Sequence, residues 1–166
     1  SWAKNLSGAS RLINARSETV STKPSFRAAF KRRRCLIPAD GFYEWHGEKG
    51  RKQPWFITIP GDRPFAFAGL WETWKSRDPE TDQSEYRSCT IITTEAADSI
   101  REIHHRMPVI LRPEAYARWL DPENMKVQEL EFILQNECIT ELNSHPVSKQ
   151  VNRVQNNTHT NIKPLL

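Results

Sequence analysis

Apolar positions along this chain follow two periods, and the switch between them organises it. From Cys35 to Thr93, short apolar runs alternate with turn residues, as in strands. Cys35-Leu36-Ile37-Pro38 predicts a short buried strand, and Pro38, Asp40 and Gly41 a turn. That turn runs into Phe42-Tyr43-Glu44-Trp45, where alternation sends Phe42 and Glu44 to one face and Tyr43 and Trp45 to the other. The polar run His46 to Gln53, with Gly47 and Gly50, predicts a hairpin loop. Pro54 to Ile59, Phe65 to Trp71, and Arg87 to Thr93 predict strands, and Trp74 to Tyr86 a charged loop.

Helical periods flank that region. Pro24 to Arg33 starts with Pro in the first turn and places Phe26 and Phe30 four apart on one face. Glu95 to Ile103 predicts a short helix with Thr94 as N-cap. Met107 to Leu111 predicts a buried strand. Pro113 to Leu120, with Tyr116, Trp119 and Leu120 on one face, and the amphipathic Val127 to Leu134 predict two more helices. Ser1 to Ser10 has no clear period, and Leu12 to Val20 begins apolar and turns polar. The tail scatters Leu142, Val147, Val151 and Val154 among polar residues. Closely spaced strands imply mostly antiparallel pairing. The expected fold class is therefore α+β, a mostly antiparallel curled sheet or open β-barrel flanked by helices. With no repeat or linker, residues 1–166 read as a single domain.

Composition narrows the class without changing it. Hydrophobic residues make up 37% and charged residues 27%, as in soluble globular chains, and the apolar runs are too short to span a membrane. No signal peptide opens the sequence. The net charge of +4 hints at a polyanionic partner without establishing one. Cys35, Cys89 and Cys138 are odd in number and widely spaced, which predicts buried free thiols in a reducing, intracellular compartment. Lys31-Arg32-Arg33-Arg34 closes a predicted helix. Cations there gain ~0.3–1 kcal/mol each from the helix dipole, yet four in a row exceed what capping needs.

Three polar clusters border apolar stretches: Asn14-Ala15-Arg16-Ser17-Glu18-Thr19, Glu44 with Trp45, and His104-His105-Arg106-Met107-Pro108. Glu44 reads most simply as an edge carboxylate in water. Beside three bulky aromatics it is also a candidate for a desolvated carboxyl, whose raised pKa suits proton transfer. The His-His-Arg run reads simply as cations against a helix dipole. Adjacent His side chains splay apart, and no HExxH or CxxC is present, so no metal site is expected. Of the six tryptophans, Trp55 and Trp119 have core periodicity, whereas Trp45 and Trp2 sit in polar surroundings where an indole could stack on a base.

Together, Asn14-Ala15-Arg16-Ser17-Glu18-Thr19, Ala39-Asp40-Gly41-Phe42-Tyr43-Glu44-Trp45 and His104-His105-Arg106-Met107-Pro108-Val109-Ile110-Leu111 resemble the SRAP family (SOS response-associated peptidase), the abasic-site-processing proteins. Val151-Asn152-Arg153-Val154 is also similar to a family segment, and the resemblance covers nearly the whole chain. Ser1-Trp2-Ala3-Lys4 looks like the family's Pro-Ser-Trp segment, which lies well inside the usual protein. The resemblance implies a protein that begins Met-Cys. On that expectation, this chain lacks its N-terminal segment and by itself does not crosslink.

The resemblance implies a partner, single-stranded DNA containing abasic sites, and an activity, covalent capture of the abasic sugar by the N-terminal Cys as a thiazolidine. It further implies lyase chemistry and self-removal of the first Met, without a cofactor. The family's catalytic Glu falls on Glu44, its His on His104 with His105 as the intervening position, and the Asn that positions the N-terminus on Asn14. Phosphate contacts fall to Arg16 and Arg106, and base stacking to Trp2 and Trp45. A monomer, cytoplasmic or nucleoid-associated and off the membrane, is expected. Two other functions fit the residues: a non-catalytic single-stranded DNA-binding module, and a small-molecule enzyme using Glu44 and His104 as an acid/base pair.

Overall fold

The computed structural model of the protein describes residues 12–75 and 85–165. In chain order the elements are β1 (Asn14–Arg16), α1 (Arg27–Arg32), β2 (Arg34–Ala39), β3 (Phe42–His46), β4 (Gln53–Thr58), β5 (Phe65–Lys75) and β6 (Glu85–Glu95). They continue with β7 (Arg106–Pro108), β8 (Ile110–Leu111), α2 (Tyr116–Leu120), α3 (Val127–Asn136) and β9 (Asn143–Pro146), with short 3-10 turns between. The class is α+β, with a curled mixed sheet, a smaller antiparallel sheet and few helices. Two compact units emerge, each assembled from separate stretches of chain.

The first unit takes residues up to Ile37, Ala66–Thr94 and Pro108–Cys138. Its strands lie in the order β1-β6-β5-β2, with β8 on β5. β5 and β6 pair antiparallel from Gly69 opposite Ile91 to Lys75 opposite Glu85, while β1 runs parallel to β6 with Asn14 opposite Ile91. One face buries Ala15, Ala68, Leu70 and Ile92. Against it pack Phe26 and Phe30 of the α1 segment, Trp119 of α2, and Leu130, Ile133 and Leu134 of α3. Alternation about the buried Ala15 turns Asn14 and Arg16 to the opposite, exposed face.

One guanidinium ties these helices down. Arg34 is 7% exposed, and all five of its N–H groups donate to carbonyls. Nε reaches Trp119 O at 2.6 Å, Nη1 reaches Phe30 O and Lys31 O at 3.0 and 2.6 Å, and Nη2 reaches Asp121 O and Asn124 O. These acceptors include last-turn carbonyls of α1 and α2 that would otherwise lack donors. A rigid planar fork can serve them together; an ammonium with three donors cannot.

The second unit takes Pro38–Phe65, Glu95–Met107 and Ile139 onward. Its sheet is β3-β4-β9, antiparallel throughout. The β3–β4 loop turns through Gly47 at φ +110°, a left-handed value that glycine tolerates. Gly41, just ahead of β3, is required for another reason. A Cβ there would lie 2.2 Å from Cζ of Phe56 and 2.8 Å from the carbonyl oxygen of Ile57.

Most predicted elements are present, and the departures have physical causes. Glu95 to Ile103 is not a helix. β6 extends to Glu95, so Thr94 is a strand residue and caps nothing. The stretch closes instead in tight turns, Ile100 N–H to Ala97 O and Ile103 N–H to Ile100 O. Of the predicted loop at 74–86, Trp74, Lys75, Glu85 and Tyr86 are paired strand residues, held by a Trp74–Tyr86 ring contact at 5.8 Å and a Lys75–Glu85 ion pair at 3.2 Å. Leu120 is 44% exposed, because only Trp119 of that helix turns fully into the core. Among the described residues, no helix is long and apolar enough to cross a membrane.

Arg34→Met should destabilise the protein by roughly 3–5 kcal/mol, since it removes five charge-assisted hydrogen bonds from a buried guanidinium to carbonyls. Arg34→Lys should recover part of that loss. Urea denaturation of the three proteins measures it; a loss below about 1 kcal/mol for Arg34→Met would remove Arg34 from this role.

Candidate active site

β3 lies beside β4 with Tyr43 opposite Phe56, Glu44 opposite Trp55, and Trp45 opposite Pro54. Directly opposed residues share a sheet face. One face therefore carries Tyr43, Trp45 and Phe56, with ring centroids 6.3 Å apart for Tyr43–Trp45 and 5.2 Å for Tyr43–Phe56. His145 of β9 continues this face, 5.8 Å from Phe56. The other face carries Phe42, Glu44 and Trp55. The predicted division of β3 into a Phe42/Glu44 face and a Tyr43/Trp45 face is the observed one.

The Glu44 side chain is 22% exposed, and burial raises its pKa above the ordinary value of 4.5. The charges of His104 and Lys52 and the backbone N–H of Trp45 oppose that rise and do not cancel it. Such a carboxyl holds its proton to higher pH than an ordinary glutamate, as a general acid requires.

His104 reaches Glu44 through the turns of 97–104. Its own N–H donates to Ile100 O at 3.1 Å, and the buried Ile100 and Met107 anchor the stretch on either side. Nδ1 of His104 lies 3.8 Å from Oε1 of Glu44, close enough for charge coupling and too far for a hydrogen bond. The same nitrogen lies 2.8 Å from the carbonyl oxygen of Arg106. The Arg106 backbone N–H also donates to this nitrogen at 3.2 Å, so Arg106 holds the ring from both its carbonyl and its amide. The exposed His105 ring packs against His104 at a centroid distance of 4.6 Å. His104 and Glu44 thus present two proton-transfer groups side by side.

The other predicted residues have separate placements. Arg106 opens β7 and is half-buried. Trp45 is half-buried on the face away from Glu44, and its indole N–H donates to Oδ1 of Asn152 at 2.8 Å. Asn14 and Arg16 belong to the first unit, where both are exposed on β1. Trp2 lies outside the described residues.

Three contributors escaped the sequence reading. Trp55, expected in the core, is half-buried and shares Glu44's face through the strand register. Lys52 reaches Glu44 electrostatically from the hairpin loop. Asn152 lies 107 residues from the indole it holds, a pairing no local pattern announces. The thiols correct another expectation, since Cys89 is exposed on β6 and not buried. Cys35 and Cys138 are half-buried, and burial pushes both up to about 11, so both stay protonated near neutral pH.

Comparison with known proteins identifies the family. The family model described as SOS response associated peptidase (SRAP) matches residues 1–154. "Abasic site processing protein YoqW" of Bacillus subtilis is 42% identical over 158 residues, covering 95% of this chain and 69% of that protein. "Abasic site processing protein HMCES" of Gallus gallus is 35% identical over 173 residues, covering 92% of this chain and 50% of that protein. A crystal structure of a Bacteroides thetaiotaomicron protein superposes with a TM-score of 0.85 at 28% identity, covering 99% of this chain and 72% of that one.

The raised pKa of Glu44 carries a sign that stability measurements can read. Above pH 4.5 the unfolded chain ionises this carboxyl before the folded protein does. Its contribution to stability is therefore greatest below pH 4.5 and declines as pH rises through the folded value. Glu44→Gln should raise the Tm at pH 7, because ionising this carboxyl costs more in the folded protein than in the unfolded chain. The gain should vanish near pH 4. Thermal melts at both pH values test this; a Tm at pH 7 below wild type would contradict a desolvated Glu44.

Proposed function

Because this chain belongs to the SOS response-associated peptidase family, we propose that it acts on abasic sites in single-stranded DNA, capturing the ring-opened sugar as a covalent adduct. The observation that carries this reading is the Glu44 carboxyl, held above its ordinary pKa 3.8 Å from His104. Abasic sugars are unreactive as closed hemiacetals. Opening one moves a proton from the C1′ hydroxyl and delivers another to O4′, a task for paired acid and base groups. Glu44, protonated, donates to O4′. His104 accepts the proton from the C1′ hydroxyl.

The nucleophile in this reading is a cysteine at the mature N-terminus of the protein. Its α-amine adds to the aldehyde carbon and the carbinolamine loses water to give an imine. The thiol then adds to the same carbon, the ring nitrogen takes up a proton, and a five-membered thiazolidine closes. One water leaves, and nothing is oxidised or reduced. Cys35 and Cys138 are unsuited to the role, because their thiols stay protonated and neither carries a free α-amine. Asn14 positions the N-terminal residue, and Arg16 and Arg106 hold flanking phosphates. Trp45, its indole fixed by Asn152, gives a base a stacking surface, with Trp2 as a second. The same site hydrolyses the peptide bond after the initiating Met, consuming one water. Hydrolysis of the adduct, which also takes up one water, returns the aldehyde and the free cysteine, and β-elimination from the imine instead expels the 3′ phosphate and cleaves the strand.

Full-length protein carrying the N-terminal Cys, mixed with an oligonucleotide bearing one abasic site, should give an adduct that survives a denaturing gel. Intact oligonucleotide should give none. Absence of the adduct would overturn the proposal. A second measurement separates catalysis from binding. Glu44→Gln should slow adduct formation by about 100-fold, within the usual range for losing a general acid, with affinity for intact single-stranded DNA unchanged. Equal rates would leave a binding module as the better description.

A further inference from the structure

The basic run that closes α1 does more than cap a helix. Arg34 is consumed by the buried carbonyls, and Arg33 donates from Nη2 to Glu72 at 2.8 Å. The remaining cations, Arg27, Lys31 and Arg32, are exposed. With Ser21, Ala28 and Arg33 they line a cavity of about 410 Å³. Among the described residues, no carboxylate lines it. Nε of Arg33, one of the lining residues, is buried without an acceptor among the described residues.

Helix capping accounts for Lys31 and Arg32, which sit in the last turn. It does not account for Arg27. That residue opens the helix, where the dipole disfavours a cation, and the first turn holds no acid. Arg27 and Lys31 also stack four apart as a like-charged pair, a destabilising arrangement. Helix stability therefore argues against this pattern, while a bound anion would satisfy it. The cavity exceeds a lone phosphate and suits a phosphodiester with its sugars. It is distinct from the Asn14/Arg16 surface, because α1 packs through Phe26 and Phe30 on the other face of the first unit's sheet.

We propose that this pocket binds backbone phosphates of a nucleic-acid strand, as a second anchor separate from Asn14 and Arg16. The idea rests on the reading that the protein acts on DNA and adds a second contact that recognises no lesion.

The test compares wild type with the triple variant Arg27→Ala/Lys31→Ala/Arg32→Ala, whose three side chains lie outside the core. Fluorescence anisotropy with a lesion-free single-stranded 30-mer across a salt series reads phosphate contacts directly. Removing three contacts should make the slope of log K against log [salt] shallower by about 2, given about 0.7 per phosphate for single strands. Adduct formation at saturating abasic DNA should be unchanged. The single variant Lys31→Glu should weaken binding in the same direction. An unchanged slope in the triple variant overturns the proposal, even if abasic capture succeeds. A reduced slope with no capture by wild type would sustain the pocket and sink the proposed chemistry. Tripolyphosphate supplies the remaining arm: if it raises the wild-type Tm and not the variant's while the DNA slope is unchanged, the pocket holds a free polyphosphate and the nucleic-acid assignment fails.

Discussion

No side chain can occupy position 41. The ring of Phe56 and the carbonyl of Ile57 already fill that space, so β3 must start from a glycine pressed against β4. This close approach locks the strand register. Register in turn decides which face each β3 side chain takes, because a slip of one residue would exchange the faces. Glu44 sits across from Trp55, and Tyr43 and Trp45 join the Phe56 ring cluster, only because that pairing holds. The dryness of the Glu44 carboxyl is thus a downstream consequence of packing at a glycine three residues earlier.

The setting of the carboxyl is a balance of burial against nearby charge. Burial raises its pKa, while His104, Lys52 and the Trp45 backbone N–H restrain the rise. A fully buried, unpaired glutamate would stay neutral and serve poorly as a base, and a fully solvated one would ionise too early to serve as an acid. The intermediate setting would suit the acid and base duties proposed for this group. The His104 ring is held at Nδ1 by the Arg106 backbone, which fixes its orientation beside Glu44.

Cations in this chain divide by their neighbours and not by their type. Arg34 is a structural fork, surrounded by carbonyls. Arg33 is half neutralised by Glu72. Arg27, Lys31 and Arg32 border a cavity that no carboxylate among the described residues lines. One basic tract thus supplies helix closure, an ion pair and an open electropositive surface within eight residues.

Much of this was legible in the chain itself. Phe26 and Phe30 four apart announced α1, the Gly47–Gly50 loop announced the β3–β4 hairpin, and Val127 to Leu134 announced α3, because local periods and turn residues act over a few positions. Motif order singled out Glu44 and His104. Tertiary structure decided what non-local contacts control. It drew β6 out to Glu95 and so cancelled a helix whose cap it consumed. It exposed Cys89 and Leu120, brought Trp55 and Lys52 to Glu44, and set Asn152 under the Trp45 indole. Above all it brought Glu44 to within 3.8 Å of His104, sixty positions further along the chain. Side-chain chemistry is written residue by residue, whereas pKa and burial belong to the neighbours, and those are assigned only when the chain folds.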